Sequence, residues 1–164
     1  MKKQTAVSFR RPSPPQKDGK LPACRTQKRR GELAELAFLY KAASLGFGVA
    51  KPYGDSERFD FIVSSGPSLW RVQVKSTYCA SNRGYRIHAH GNETSGPDFY
   101  TKDDIDLIVA YVFPEDAWYV IPIEAIKGRR SLYFYPNGSR RGLAMYEEYR
   151  EAWWLMESDH RSRV

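Results

Sequence analysis

Two strand-like runs, residues 59–63 and 69–77, flank the segment Ser64-Ser65-Gly66-Pro67-Ser68. Aromatic and β-branched residues bounded by a Gly-Pro turn signal read as an antiparallel hairpin. A turn centred between Gly66 and Pro67 sets Asp60 opposite Gln73, since each lies equally far from the centre. Side chains alternate along a strand, so Gln73 and Lys75 share one face while Val72 and Val74 share the other. The hairpin therefore gathers an acid, an amide and an amine, and a one-residue slip would scatter them.

A helical pattern precedes the hairpin. Over residues 27–45, Leu33, Leu36, Ala37, Tyr40 and Ala43 recur at three- and four-residue spacings and are expected to form the buried stripe. Phe38 and Leu39 widen that face, which suggests cover on more than one side. Gly46 and Gly48 are expected to end the helix. Glu32 and Glu35, one turn apart, sit in its first turns.

Beyond the hairpin, residues 85–90 form a third expected strand. Residues 105–113 are apolar on both faces, as in a strand buried between layers. A turn through Pro114-Glu115-Asp116-Ala117 leads to a strand over 118–123, and residues 147–156 read as a closing helix. Helix, strands and helix in this order imply an α/β domain with a mixed sheet flanked by helices. The domain is expected over residues 27–157, with a tail at 158–164.

The charge is concentrated at one end. Residues 1–31 hold ten Lys and Arg against Asp18 alone, a net +9 in a chain of +7, which leaves −2 for the remainder. Residues 1–26 also carry Pro12, Pro14, Pro15 and Pro22 without apolar periodicity, so a disordered basic arm is expected there. Such an arm favours a polyanion such as nucleic acid or an acidic membrane surface, with a solubilising terminus as the alternative. Lys127, Arg129, Arg130, Arg140 and Arg141 around Tyr133-Phe134-Tyr135 form a second basic-aromatic cluster of the same tendency. No apolar run approaches a membrane span, and the opening Met-Lys-Lys lacks a secretory apolar stretch, so a cytoplasmic protein is expected. Cys24 and Cys79, the only cysteines, are then free thiols of structural use.

Glu35, Asp60 and the Gln73-Val74-Lys75 run have the composition of a phosphodiester-cleaving site. A hard divalent cation, Mg²⁺ or Mn²⁺, takes oxygen ligands and keeps waters. Glu35 and Asp60 offer carboxylates, Val74 a backbone carbonyl, and Gln73 a weak neutral oxygen or a water-positioning group. Lys75 is the cation for the attacking hydroxide or the phosphorane charge. In isolation an Asp and a Gln-x-Lys describe a structural ion pair beside a solvated strand face. The hairpin placement and the upstream helix acid lift them above that. Glu32 rivals Glu35 as that acid, and Asp55 after Gly54 reads as a turn residue. Arg86, His88 and His90 alternate on one strand and read as a polar sheet face with phosphate or metal contact as the alternative. Asp103, Asp104 and Asp106 read as a helical turn or N-cap before the buried strand, with an extra acidic site as the alternative.

Arg30-Gly31-Glu32-Leu33-Ala34-Glu35, Pro52-Tyr53-Gly54-Asp55, Arg58-Phe59-Asp60-Phe61-Ile62-Val63 and Arg71-Val72-Gln73-Val74-Lys75-Ser76 together resemble the PD-(D/E)XK nuclease superfamily. They are most similar to its bacterial group I intron-associated, homing-type endonucleases, and more distantly to archaeal Holliday-junction resolvases. The resemblance spans residues 27–126. It implies a restriction-endonuclease-like core and Mg²⁺- or Mn²⁺-dependent hydrolysis of double-stranded DNA by a homo-oligomer, a dimer or tetramer. It carries the helix acid to Glu35, the strand acid to Asp60 and the (D/E)xK pair to Gln73 and Lys75. The chain departs from the usual superfamily pattern in having Gln at 73, as the intron-associated branch it resembles commonly does, and Phe, not Pro, at 59. Candidate DNA contacts are Lys28, Arg29, Arg30, Arg71, Arg86, Arg129, Arg130, Arg140 and Arg141. The alternatives are a junction or repair nuclease and an inert DNA-binding module of the same fold.

Overall fold

The computed structural model describes residues 26–54, 56–81, 84–91, 99–126, 128–138 and 144–157. The basic arm with Cys24, together with Asp55, Lys127, Arg140, Arg141 and the tail at 158–164, lies outside them.

Helix α1, Gln27–Ser44, opens on Thr26, whose Oγ1 accepts a hydrogen bond from the Arg29 N–H at 3.2 Å. Strand β1 (Gly48–Ala50) follows, then β2 (Phe61–Ser65) and β3 (Ser68–Thr77). The hairpin register is the one the turn dictates: Ser65 faces Ser68 and Phe61 faces Val72. Gly66, at φ 54°, supplies the left-handed corner that precedes Pro67. The short strands β4 (Ala80–Ser81) and β5 (Gly84–His88) come next. β6 (Leu107–Val112) and β7 (Ala117–Pro122) are joined by a tight 3₁₀ turn, and a single-turn helix α2 (Ile123–Ile126) leads to β8 (Ser131–Phe134).

The strands make two sheets. The main one is mixed and ordered β1-β2-β3-β6-β7, with β3 and β6 parallel and every other pair antiparallel. The second is β4-β5-β8. β6 is buried on both faces, as its apolar run requires. One face carries Leu107 and Val109 against α1; the other carries Ile108 and Ala110 against Ile87, Leu132 and Phe134 of the second sheet. Gly84, at φ +88°, lies so close to β8 that a Cβ would come within 2.6 Å of the Phe134 carbonyl. This α/β arrangement of a mixed sheet and helices agrees with the restriction-endonuclease-like core. No helix among the described residues is long and apolar enough to cross a membrane.

Four expectations are corrected. The buried stripe of α1 is Ala34, Phe38 and Ala42, whereas Leu36 and Tyr40 are 61% and 79% exposed and Ala43 is exposed as well. The helix carries apolar residues around much of its circumference, so spacing alone does not select a face. Phe38 wins because it fills the space between Phe61, Trp153 and Trp118, with ring centres 5.1, 6.2 and 6.4 Å away.

Residues 147–156 form no continuous helix. Two 3₁₀ turns, Glu147–Tyr149 and Trp153–Met156, flank Arg150 and Glu151. There the chain joins the open edge of β7. Arg150 bridges Tyr119, the Glu151 N–H reaches the Trp118 carbonyl at 2.8 Å, and the Trp118 N–H reaches Glu151 Oε1 at 3.0 Å. Glu151 adopts φ 49° to make these contacts, which interrupts helical hydrogen bonding.

Gly48 begins β1 in place of ending the helix, and Tyr133-Phe134-Tyr135 belongs largely to β8. Phe134 is fully buried beside Tyr119, so that aromatic stretch is in part core.

Truncation of Phe38 to Ala is expected to cost about 3–5 kcal/mol, the range for a large buried aromatic. Leu36→Ala should stay within about 0.5 kcal/mol, as for an exposed site. Urea unfolding of the two variants measures the difference.

Candidate active site

Antiparallel pairing along β2 stops at Phe61, one residue short of Asp60. The backbone N–H of Asp60 turns to the Val72 carbonyl at 2.9 Å. Backbone polar groups alternate in direction along β3, so Val74, like Val72, presents its N–H and C=O toward the space where β2 would continue. The Asp60 carboxylate enters that space. Its Oδ2 accepts hydrogen bonds from the Val74 N–H and from Gln73 Nε2, both at 2.7 Å. Gln73 Nε2 also lies 3.4 Å from the Val74 carbonyl. Both neighbours are acceptors, so it is the amide nitrogen that faces them. The expected meeting of Asp60 and Gln73 occurs, through side chains and with Gln73 as donor.

Lys75 and Gln73 pair with Ala110 and Ile108 of β6, which places them on the sheet face toward the second sheet. Glu35 comes from α1, on the opposite face. The two sides meet in an open cleft of roughly 880 Å³ whose lining includes Glu35, Asp60, Gln73, Val74 and Lys75. Burial holds the Asp60 carboxyl up at about 6; the Val74 hydrogen bond lowers it, Glu35 raises it further, and Lys75 and Gln73 lower it. Glu32 also lines the cleft, but its carboxylate pairs with Arg29 at 3.3 Å.

Glu35 Oε2 pairs with Lys51 Nζ at 2.6 Å. Sequence reading passed over Lys51, since it follows the unrecognised strand β1. An acid at 35 and a base just after the next strand were its only trace. Lys75 makes no ion pair among the described residues, and its Nζ lies 5.4 Å from the centre of the Tyr100 ring.

The donor set fits a hard divalent cation. Asp60 Oδ1 makes no hydrogen bond among the described residues, and Glu35 and the Val74 carbonyl supply oxygens of the kind Mg²⁺ prefers. No group of three His, Cys, Asp or Glu is placed to share a metal among the described residues, so a third protein oxygen would come from the backbone.

The basic residues divide. Lys28, Arg30 and Arg86 line the cleft, and the Arg30 guanidinium lies 5.9 Å from the Tyr78 ring centre. Arg29, Arg129 and Arg130 are exposed. Arg71 differs: its backbone and guanidinium bind Asp106 at 2.7–3.2 Å, and its guanidinium also donates to the carbonyls of Asp103 and Lys102. It clamps β3 to the start of β6, and those bonds engage most of its guanidinium N–H donors. Asp104 closes the expected turn by accepting from Thr101 N–H and Oγ1, both at 2.8 Å. The rings of His88 and His90 lie 5.4 Å apart; partial burial lowers the His88 pKa, helped by Arg86, His90 and Lys75. Cys79 is free but exposed at the cleft, not packed in the core.

The model of the PD-(D/E)XK endonuclease family matches residues 25–156. No curated protein matches by sequence. Among solved structures, that of a bacterial homing endonuclease, I-Ssp6803I, superposes with a TM-score of 0.75 at 27% identity, covering 84% of this chain and 97% of the other. The Holliday junction resolvase Hjc from the archaeal hyperthermophile Archaeoglobus fulgidus aligns with a TM-score of 0.43 at 13% identity, over 62% of this chain and 80% of its own.

With its folded-state value raised to about 6 from 3.8, Asp60 favours folding most when protonated. In EDTA, its contribution should be fully present below about pH 4 and lost as pH rises through 6. Asp60→Asn keeps an acceptor for both N–H donors. It should remove this pH dependence and raise stability at pH 7.5 by on the order of 1–3 kcal/mol. Thermal unfolding across pH checks it.

Proposed function

The chain belongs to the PD-(D/E)XK endonuclease family, and we propose that it is a metal-dependent DNA endonuclease of the homing, group I intron-associated type, acting in the cytoplasm. The observation that carries the reading is the convergence of Asp60, Val74, Gln73, Lys75 and Glu35 in one cleft whose lining also includes Lys28, Arg30 and Arg86. The homing-type assignment rests on the likeness to the bacterial homing endonuclease over nearly all of that protein's length.

Asp60, Glu35 and the Val74 carbonyl would hold Mg²⁺ or Mn²⁺. When bound, such a cation lowers the pKa of its water and neutralises phosphate charge. The chain's own groups do the rest. Gln73 and the Val74 N–H fix Asp60 by one oxygen and leave the other for a ligand. Lys51 holds Glu35 in the cleft. The Lys75 ammonium stabilises the attacking hydroxide and the charge that builds on the phosphorane. Lys28, Arg30 and Arg86 bind flanking phosphates of double-stranded DNA, and Arg29, Arg129 and Arg130 extend the contact. One such constellation is found among the described residues, and cutting two strands takes two; we therefore assign the active form to a homo-oligomer. The nuclease domain spans residues 27–157, and residues 1–26 serve as a phosphate-binding arm.

Supercoiled plasmid and long duplexes are incubated with Mg²⁺, Mn²⁺ or EDTA. Cleavage is expected with either metal and not with EDTA. Asp60→Ala and Lys75→Ala should each lower the rate at least about 100-fold, the scale of losing one charge-stabilising group, while DNA affinity in EDTA stays near wild type. Wild-type rates in Asp60→Ala would overturn the site; binding without cleavage in any metal would favour the inert module.

Each phosphate neutralised adds about −0.9 to the slope of log K against log salt. Deleting residues 1–26 should weaken binding to all duplexes alike and flatten that slope. Fluorescence anisotropy over a salt series measures it, and an unchanged slope would show that the arm does not touch DNA.

A further inference from the structure

Lys75 has an unusual setting for a cation beside two carboxylates. An acid is the usual residue two positions before the motif lysine, and here Gln73 stands in its place, donating to Asp60 in preference to pairing with Lys75. No carboxylate lies within ion-pair distance of Lys75 among the described residues. Its ammonium rests instead 5.4 Å from the centre of the Tyr100 ring. The same ring carries the Arg58 guanidinium, 5.3 Å from the centre.

Tyr100 is held from several sides. Arg58 Nε pairs with Asp104 Oδ1 at 3.3 Å, and its Nη2 lies 3.5 Å from the Phe99 carbonyl. Asp104 in turn fastens Thr101, the next residue after Tyr100, by two hydrogen bonds at 2.8 Å. Phe99 bridges His90, and the Tyr100 ring is half-buried against the core between the sheets. The ring is thus fixed by the chain on both sides of it, while Lys75 has a flexible stem whose ordering costs rotamer entropy.

We propose that Tyr100 is the positioning residue for Lys75, taking the place of the missing carboxylate at 73. This rests on the nuclease reading above. An aromatic face attracts an ammonium through its quadrupole without neutralising it and without accepting its proton. A carboxylate partner would aim Lys75 equally well but would draw its N–H groups and compensate its charge. The ring leaves both for the phosphate and the attacking hydroxide. Gln73 and Tyr100 are then two halves of one arrangement: the amide orients Asp60, and the ring orients Lys75.

The test compares Tyr100→Phe, which keeps the ring, with Tyr100→Leu, which keeps apolar bulk and loses the π face. Urea unfolding checks that both remain folded. In metal-free protein labelled with ¹³C-lysine, the ε-methylene signal of Lys75, assigned by its loss in Lys75→Arg, should be shifted by the ring current. Tyr100→Phe should keep that shift and Tyr100→Leu should abolish it. In the cleavage assay Tyr100→Phe should match wild type. Tyr100→Leu should lose about tenfold in rate at saturating Mg²⁺, with DNA affinity and the half-saturating Mg²⁺ concentration unchanged. An unshifted Lys75 signal in wild type, or a shift that survives in Tyr100→Leu, overturns the contact. A lost shift with wild-type cleavage overturns its use in catalysis. A wild-type protein that cuts no DNA overturns the nuclease reading and the catalytic part of this proposal, and the NMR signal still decides whether the ring holds the ammonium.

Discussion

The hydrogen bond from the Val74 N–H to the Asp60 carboxylate exists because β2 stops pairing one residue early. Had the ladder continued, Val74 would meet a backbone carbonyl and the sheet would be closed at this point. Ending it leaves an N–H and a C=O at a half-covered position, where an unpaired donor is costly. Asp60 satisfies the donor, and the carbonyl has Gln73 Nε2 at 3.4 Å beside the cleft that Val74 lines. The same gap lets Glu35 from one side of the sheet and Lys75 from the other approach a common space. The candidate site is in this sense an interruption of β-structure, held open by one carboxylate.

That interruption is tolerable because its surroundings are rigid. β3 is paired along its length with β6, whose side chains are buried on both faces. Arg71 and Asp106 lock the start of that parallel pair through both backbone and side chain. On the helix side, Phe38 ties α1 to Phe61, Trp118 and Trp153, which fixes the helix that carries Glu35. On the other side the second sheet buries Ile87, Leu132 and Phe134 against β6 and β7 and carries Arg86 to the cleft.

The charges follow the same division. Arg71 and Arg58 are drawn into the fold by Asp106 and Asp104. Lys28, Arg30 and Arg86 remain at the cleft. Residues 27–157 carry no net charge, so the positive character of the cleft comes from where its cations sit and not from an overall excess.

The sequence by itself determined the hairpin, its register, the helix ahead of it and the doubly buried strand. Each of these follows from local rules: turn chemistry at Gly66-Pro67, period-two alternation, and a continuous apolar run. It therefore also determined that Asp60, Gln73 and Lys75 would be neighbours. The tertiary structure decided what those rules leave open. It chose Ala34-Phe38-Ala42 as the buried face of a helix that is apolar on several sides, because only that face meets the tryptophans. It turned the C-terminal segment into a cover for the edge of β7, because Arg150 and Glu151 find backbone partners there that a helix would deny them. It made Arg71 a clamp, paired Lys51 with Glu35, and set Tyr100 beside Lys75. Each depends on residues distant in the chain being brought within a few ångströms, and no spacing along the sequence records such a meeting.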